Sequence, residues 1–207
     1  MDNKAFFKLS YGLYVVSSNC NGKDSACIAN TFVQVTAEPA QVCITLNKNN
    51  FTTKLIEASG VYNVGVLLDE VDMDVIRRFG FQSGKDFDKF EGIEYFIDEQ
   101  NVKQISKGIA ASFSVKVNAT LDVGTHIMFV GKVVDCQVLD DREVLTYANY
   151  HDKKKGTTPK NASSYQPDEK KHGWKCTVCG FVLEQDELPD DYICPVCKQP
   201  ASVFVKI

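Results

Sequence analysis

Long hydrophobic runs are missing from this sequence, and so are the short motifs that mark most nucleotide enzymes. No apolar stretch approaches the roughly 20 residues of a membrane helix, which excludes a helical membrane span. There is no GxGxxG, so a Rossmann nicotinamide domain is not expected, and no GxxxxGK[ST], so neither is a phosphate-binding P-loop. No Ser-His-Asp spacing stands out for a hydrolase. Positive charge is also short: 23 Lys and Arg face 27 Asp and Glu, for a net charge of −4. With no basic stripe interleaved with aromatics, nucleic acid is an unexpected partner. The opening Met1-Asp2-Asn3-Lys4 has no signal-peptide core, so the expected location is cytoplasmic. Of the six prolines only Pro39 precedes residue 158, which helps to mark a boundary there.

Cysteine is what the chain does have. Four of its eight cysteines form two pairs, Cys176-Thr177-Val178-Cys179 and Cys194-Pro195-Val196-Cys197, with fourteen residues between them. Four thiolates at this spacing suit one tetrahedral ion, and softness and geometry allow zinc or iron. Each pair fits a knuckle whose backbone N–H groups turn back toward sulfur; Gly180 supplies a positive φ and Pro195 stiffens the second loop. A module of about 35 residues cannot bury enough surface to fold alone, so the metal must hold it together. Cys20, Cys27, Cys43 and Cys136 are scattered and read as small buried hydrophobes, with Cys20, in a turn, the most exposed thiol.

Composition divides the chain into residues 1–151, a polar linker at 152–172 and the metal module at 173–207, with net charges of −5, +3 and −2. A fully flexible linker of that length would span about 25 Å. Strand signals dominate the first part, at 12–18, 41–46, 62–67, 112–120 and 125–139, with Gly131 a candidate bulge in the last. Short helices are expected near 3–10, 52–59 and 72–79. This predicts a mainly antiparallel barrel, and strand periodicity alone also allows a lipocalin-like or OB-like one. Between the strands runs a series rich in hydroxyls and amides, from Ser25 to Pro39 and from Leu46 to Lys54. Its Thr52 and Thr53 fall at a helix N-terminus, where orphan N–H groups favour an anion.

Two resemblances sharpen this. Trp174 to Val182, and Leu188 to Cys197 with Phe204 beyond, resemble the two knuckles of rubredoxin, with a shorter insert nearer that of the module fused to rubrerythrins. The resemblance implies one iron, cycling between Fe2+ and Fe3+; a structural zinc ribbon is the alternative. Ala29 to Pro39, Asn47 to Thr53 and Phe79 to Phe90 resemble segments of the flavin reductase-like split-barrel family. Gly124-Thr125-His126 stands where its members commonly have Gly-Asp-His. This resemblance implies a split barrel that binds FMN through Asn30, Thr31, Gln34, Val35, Thr36, Asn47, Thr52 and Thr53. It places His126 beside the flavin as the candidate catalytic-site residue, in a binding role. Tyr147, Tyr150 and His151 become candidates to cover the pocket, and Lys155 to Tyr165 resembles the ordered tail of flavin-binding members. It also implies a homodimer.

The fold class expected is therefore mainly β, a split-barrel flavin domain with short helices joined to a rubredoxin-like metal-knuckle domain. The whole resembles the high-molecular-weight rubredoxins of anaerobes. That implies electron flow from NAD(P)H to FMN to iron, then to a redox partner such as a flavodiiron oxygen or nitric oxide reductase. The alternative is a carrier loaded by a separate reductase.

Overall fold

A computed structural model describes residues 2–159, 162–165 and 172–207. After a 3-10 turn at Asn3–Lys8 come strands β1 (Tyr14–Cys20), β2 (Lys23–Ala29), β3 (Val33–Thr36) and β4 (Gln41–Asn47). Helix α1 (Phe51–Ser59), β5 (Val61–Leu67) and α2 (Met73–Phe81) follow, then β6 (Tyr95–Ile97) and β7 (Lys103–Ile105). Two long strands, β8 (Ile109–Asp122) and β9 (His126–Val138), precede α3 (Tyr147–Asp152). The last part holds β10 (Trp174–Cys176), β11 (Val182–Leu183), a 3-10 turn at Ala201–Val203 and β12 (Phe204–Lys206).

Seven strands form one antiparallel sheet in the order β2-β1-β5-β8-β9-β4-β3, which leaves β2 and β3 as its two edges. Its central strands are buried on both faces. Successive side chains of a strand point to opposite sides, and Val15 joins one core cluster with Leu67, Ile76, Phe79 and Leu145, while Val16 joins another with Ile44, Tyr62, Val64 and Phe129. That is why β1 and β5 read as apolar runs rather than as clean alternation. A polar seam crosses the core where β7 packs. Gln104 donates to the Val15 carbonyl and the Asn63 Oδ1, and Asn63 and Ser114 donate to Asp98.

Some expectations shift. The bulge anticipated at Gly131 lies across from it: register slips on β8 between Val117 and Ala119, opposite Gly131 and Val130. Gly131 is needed for the close approach itself, since a Cβ there would stand 2.5 Å from Val115 Cγ1 and 2.8 Å from the Lys116 carbonyl oxygen. Strand β2, hidden in the hydroxyl-rich series, pairs with the whole of β1 through an Asn21-Gly22 turn with both residues at positive φ. Cys136 is the exposed thiol, with Cys20 only partly so, because Cys136 sits on the outer stretch of β9 where burial fades. Helix α3 runs to Asp152, and beyond it Gly156, Ser163 and Ser164 make contacts with the barrel. Lys160, Asn161 and residues 166–171 of the expected linker lie outside the described residues.

Candidate functional site

The first site is built by the small sheet β11-β10-β12. Its two knuckles are the same turn made twice. The Cys176 N–H donates to the Phe181 carbonyl and the Gly180 N–H to the Cys176 carbonyl; Cys194 and Lys198 repeat this with Gln199 and Cys194. Gly180 (φ 84°) and Lys198 (φ 60°) take the left-handed conformation just after the second cysteine of each pair. The four Sγ atoms lie within 4.8 Å of one another, with Cys176 and Cys197 3.6 Å apart and Cys179 and Cys194 3.5 Å apart. A tetrahedron with metal–sulfur bonds of about 2.3 Å has edges of about 3.8 Å, so the arrangement fits one thiolate-bound metal. It is far too wide for a disulfide, which needs about 2.05 Å. All four cysteines are buried.

The electrostatics point the same way. The Cys194 thiol is pulled well below its ordinary value, first by its hydrogen bond with Cys179, then by the backbone N–H groups of Cys197 and Val196. Cys179 is pushed far up by that same bond and by burial. Packed thiols cannot all ionise while only a proton is shared between them; a cation removes the conflict. Phe181 and Gln199 supply further N–H donors to Cys179 and Cys197. Such donors stabilise the more negative state of a metal–thiolate centre.

The second site is a cavity of about 320 Å³ beside the end of β2, the β4–α1 turn and α2. Three of the nine flavin-site candidates line it: Asn30, Asn47 and His126. Asn49 and Asn50 add two further amides, and Asn50 caps α1 by accepting from the Thr52 N–H at 3.0 Å. His126 Nδ1 lies 2.8 Å from the Thr125 Oγ1, so the Thr that replaces the family's Asp still orients the imidazole.

The remaining candidates lie elsewhere. Thr52 and Thr53 are fully buried, and the structure engages their hydroxyls internally rather than at the cavity wall. The Thr52 Oγ1 pairs with the Ser25 Oγ at 3.0 Å, and the Thr53 Oγ1 donates to the Asn47 carbonyl at 2.8 Å. Thr31 donates to the Thr45 carbonyl. Gln34, Val35 and Thr36 lie on the exposed edge strand β3, away from the cavity of the single chain.

Lys89 is a wall residue that sequence reasoning passed over. It is only 3 % exposed, yet its ammonium donates to the Ala26 carbonyl at 2.7 Å and the Phe79 carbonyl at 2.9 Å. Burial brings its pKa down to about 8. The one available signal was its place in the Phe79–Phe90 loop, between two aromatics.

Tyr147, Tyr150 and His151 form an aromatic corner at the mouth, with Tyr147 and His151 ring centroids 4.5 Å apart. The chain beyond α3 is pinned there. Gly156 lies so close to the Tyr150 ring that a Cβ would stand 2.1 Å from it, and His151 Nδ1 donates to its carbonyl. Further on, Asn30 Nδ2 donates to the Ser164 Oγ at 2.6 Å, and the Ser164 hydroxyl donates to Tyr147. Pro159, Ala162 and Ser163 join the wall, so the expected ordered tail closes one side of the cavity.

The two sites adjoin. Val178, inside the first knuckle, lines the cavity, and the Thr157 Oγ1 donates to the Cys179 carbonyl at 2.8 Å. Phe81, the last residue of α2, packs against both the barrel core and the cysteine cluster.

Comparison with known proteins finds two family matches along the chain. Residues 6–156 match the flavin reductase like domain, and 174–205 match the rubredoxin-like domain of the rubrerythrin type. The chain is 34 % identical to a high molecular weight rubredoxin of Moorella thermoacetica across the whole of both chains. It is 47 % identical to a ferric-chelate reductase (NAD(P)H) of Archaeoglobus fulgidus over 80 % of this chain and 98 % of that one. Among solved structures, an NADH:FAD oxidoreductase of Streptomyces globisporus superposes with a TM-score of 0.64 at 21 % identity, over 70 % of this chain and 86 % of the other. The chain therefore belongs to the flavin reductase-like family, in the form that carries a C-terminal rubredoxin-like domain.

Proposed function

We propose that the protein moves electrons from NAD(P)H through FMN to a mononuclear iron held by Cys176, Cys179, Cys194 and Cys197, and from there to a protein redox acceptor. The observation that carries the reading is the contact between the sites: Val178, a residue of a metal knuckle, forms part of the wall of the cavity that Asn30, Asn47 and His126 line. A bound FMN would supply the conversion from two-electron to one-electron chemistry, accepting a hydride from NAD(P)H and giving up its two electrons one at a time, the second once the iron has passed on the first, with one proton released to solvent.

The chain's own residues supply position and charge. Asn30, Asn47 and Asn50 offer amide donors and acceptors to the polar edges of a flavin. His126, oriented by Thr125, supports the ring or the incoming nicotinamide. Thr52 and Thr53 act from behind the wall, fixing the Asn47–Asn50 turn through Ser25 and the Asn47 carbonyl. Lys89 puts a buried positive charge in the cavity wall, which would favour a bound flavin that gains negative charge on reduction. The tail residues Thr157, Pro159 and Ala162 to Ser164 cover the cavity and limit water.

A homodimer is part of the proposal. Edge strand β3 exposes Val33 and Val35 beside Gln34 and Thr36, a surface a second copy would cover. The resemblance supports a flavodiiron oxygen or nitric oxide reductase as acceptor and a cytoplasmic location; no helix among the described residues is long and apolar enough to cross a membrane.

Anaerobic titration of the purified protein with NADH and NADPH, followed by visible spectroscopy and metal analysis, tests this. About one FMN and one iron per chain are expected, with both bands bleaching. Stoichiometric zinc after growth in iron-replete medium would contradict the iron assignment. A flavin that stays oxidised with NAD(P)H but accepts electrons from a separate reductase would make the chain a carrier.

A further inference from the structure

The metal module does not simply follow the barrel; the barrel grips it at both knuckles. On α2, Arg77 turns its guanidinium across the boundary. Its Nε donates to the Val196 carbonyl at 2.6 Å and its Nη2 to the Pro195 carbonyl at 3.4 Å. Both carbonyls belong to the loop between Cys194 and Cys197. Asp74, one turn earlier on the same helix, accepts from Nη1 and aims the planar group. Arg78 next door has other work: its Nη1 donates to the Glu91 carbonyl and its guanidinium lies 5.1 Å from the Phe87 ring centroid. The first knuckle is held by Thr157, through the Cys179 carbonyl, and Lys175 reaches the Tyr165 hydroxyl at 3.4 Å. Phe81 supplies the apolar part of the contact.

From this geometry we infer that Arg77 is a docking latch, a positioning residue that seats the metal module with its first knuckle against the flavin cavity of the same chain. The inference deepens the proposed electron path and rests on it for its purpose, though not for its geometry. Three features argue for a built contact. Three backbone carbonyls of the two metal loops, those of Cys179, Pro195 and Val196, each accept from a barrel-side side chain. Recognition of backbone carbonyls reads the shape of the knuckles without disturbing the ligands. The latch also carries charge: a four-thiolate iron is −1 when ferric and −2 when ferrous, so a guanidinium beside its loop favours the ferrous form. By linkage, reduction tightens docking by the same factor that docking favours reduction. Seating the module turns a diffusive encounter into a fixed contact.

The test compares Arg77→Met, which keeps an unbranched apolar stem but loses the guanidinium donors, with Arg78→Met, which makes the same charge change on the same helix. In the holoprotein, flavin is reduced photochemically, so that the outcome does not depend on the nicotinamide. Arg77→Met is expected to slow bleaching of the metal band at least tenfold and to shift the metal's reduction potential downward. Arg78→Met should match the wild type in both. In full-length protein loaded with zinc, 15N relaxation should show the module tumbling with the barrel in the wild type and faster than the barrel in Arg77→Met. Wild-type and Arg77→Met proteins that agree in module tumbling would overturn the latch, as would a wild-type module that already tumbles freely. Photoreduced flavin that never passes electrons to iron in the wild type would instead refute the proposed function, and the tumbling result would still decide the latch.

Discussion

The barrel and the metal module are held together by opposite means. The barrel buries two clusters of large side chains on the two faces of one sheet, among them Tyr62, Phe79, Phe129, Ile44 and Leu67. In the module the buried cluster is the four cysteines themselves with Val196 and Phe204, and Trp174, Phe181, Tyr192 and Leu188 only partly covered around them. Remove the ion and the centre of that core becomes a set of mutually repelling or protonated thiols. One half of the chain is a fold that holds a cofactor; the other is a cofactor that holds a fold.

The largest effect should come from breaking the module. Replacing Cys179 or Cys194 by Ser should abolish the metal spectrum and unfold residues 174–206 while the barrel keeps its own unfolding transition and still binds FMN, more weakly by what the Val178 wall contributes. Two-transition calorimetry with FMN titration checks this; loss of flavin binding would contradict the independence of the two regions.

A middle-sized effect is expected inside the barrel. The double substitution Thr52→Val and Thr53→Val keeps shape but removes the hydroxyl that pairs with Ser25 and leaves the Asn47 carbonyl with the Asn50 N–H alone, each loss costing about 1–1.5 kcal/mol. Denaturant unfolding of the barrel should report about 2–3 kcal/mol in total. FMN affinity should fall about tenfold through the loosened Asn47–Asn50 turn, with the metal spectrum unchanged. Unchanged stability and affinity would show that the two hydroxyls do not fix the turn.

The smallest effect is a pH dependence confined to the barrel. Lys89 titrates near pH 8 in the folded, flavin-free chain and near 10.5 when unfolded. Below pH 8 both states are charged and the burial penalty is present in full. Between 8 and 10.5 the unfolded chain holds the extra proton, so stability rises with pH. Relative to Lys89→Met, the flavin-free wild type should gain about 1.5 kcal/mol between pH 8 and 9.5, read from unfolding midpoints. A flat difference would mean that the ammonium is solvated or paired.

The sequence made the metal centre legible and the cavity only in part, and the reason is locality. Two CxxC pairs and Gly180 fix each knuckle within a few residues, so spacing alone carries the geometry. The apolar runs of β1, β4, β5, β8 and β9 were readable for the same reason. Strand β2 was not, because Lys23-Asp24-Ser25-Ala26-Cys27 has the composition of a loop and becomes a strand through pairing with β1; the Asn21-Gly22 turn was the overlooked sign. Asn30, Asn47 and His126 converge on the cavity from three separate strand ends, where only the family resemblance linked them. Arg77 and Lys89 depend wholly on tertiary contacts. Arg77 is one of two adjacent arginines on a short helix, and no pattern along the chain distinguishes the one that meets the metal loop from the one that caps its own domain.

The central claim is that the two regions exchange electrons within one molecule, and a dilution series tests it most directly. Anaerobic stopped-flow reduction at protein concentrations from high to sub-micromolar should show the metal band bleaching after the flavin with a rate constant independent of concentration. A chain opened by a protease site inserted between Tyr165 and His172 should lose that independence on dilution. Metal reduction that scales with protein concentration in the intact chain would contradict the account, because the iron would then be reached by collision and not through the contact that Val178, Thr157 and Arg77 make.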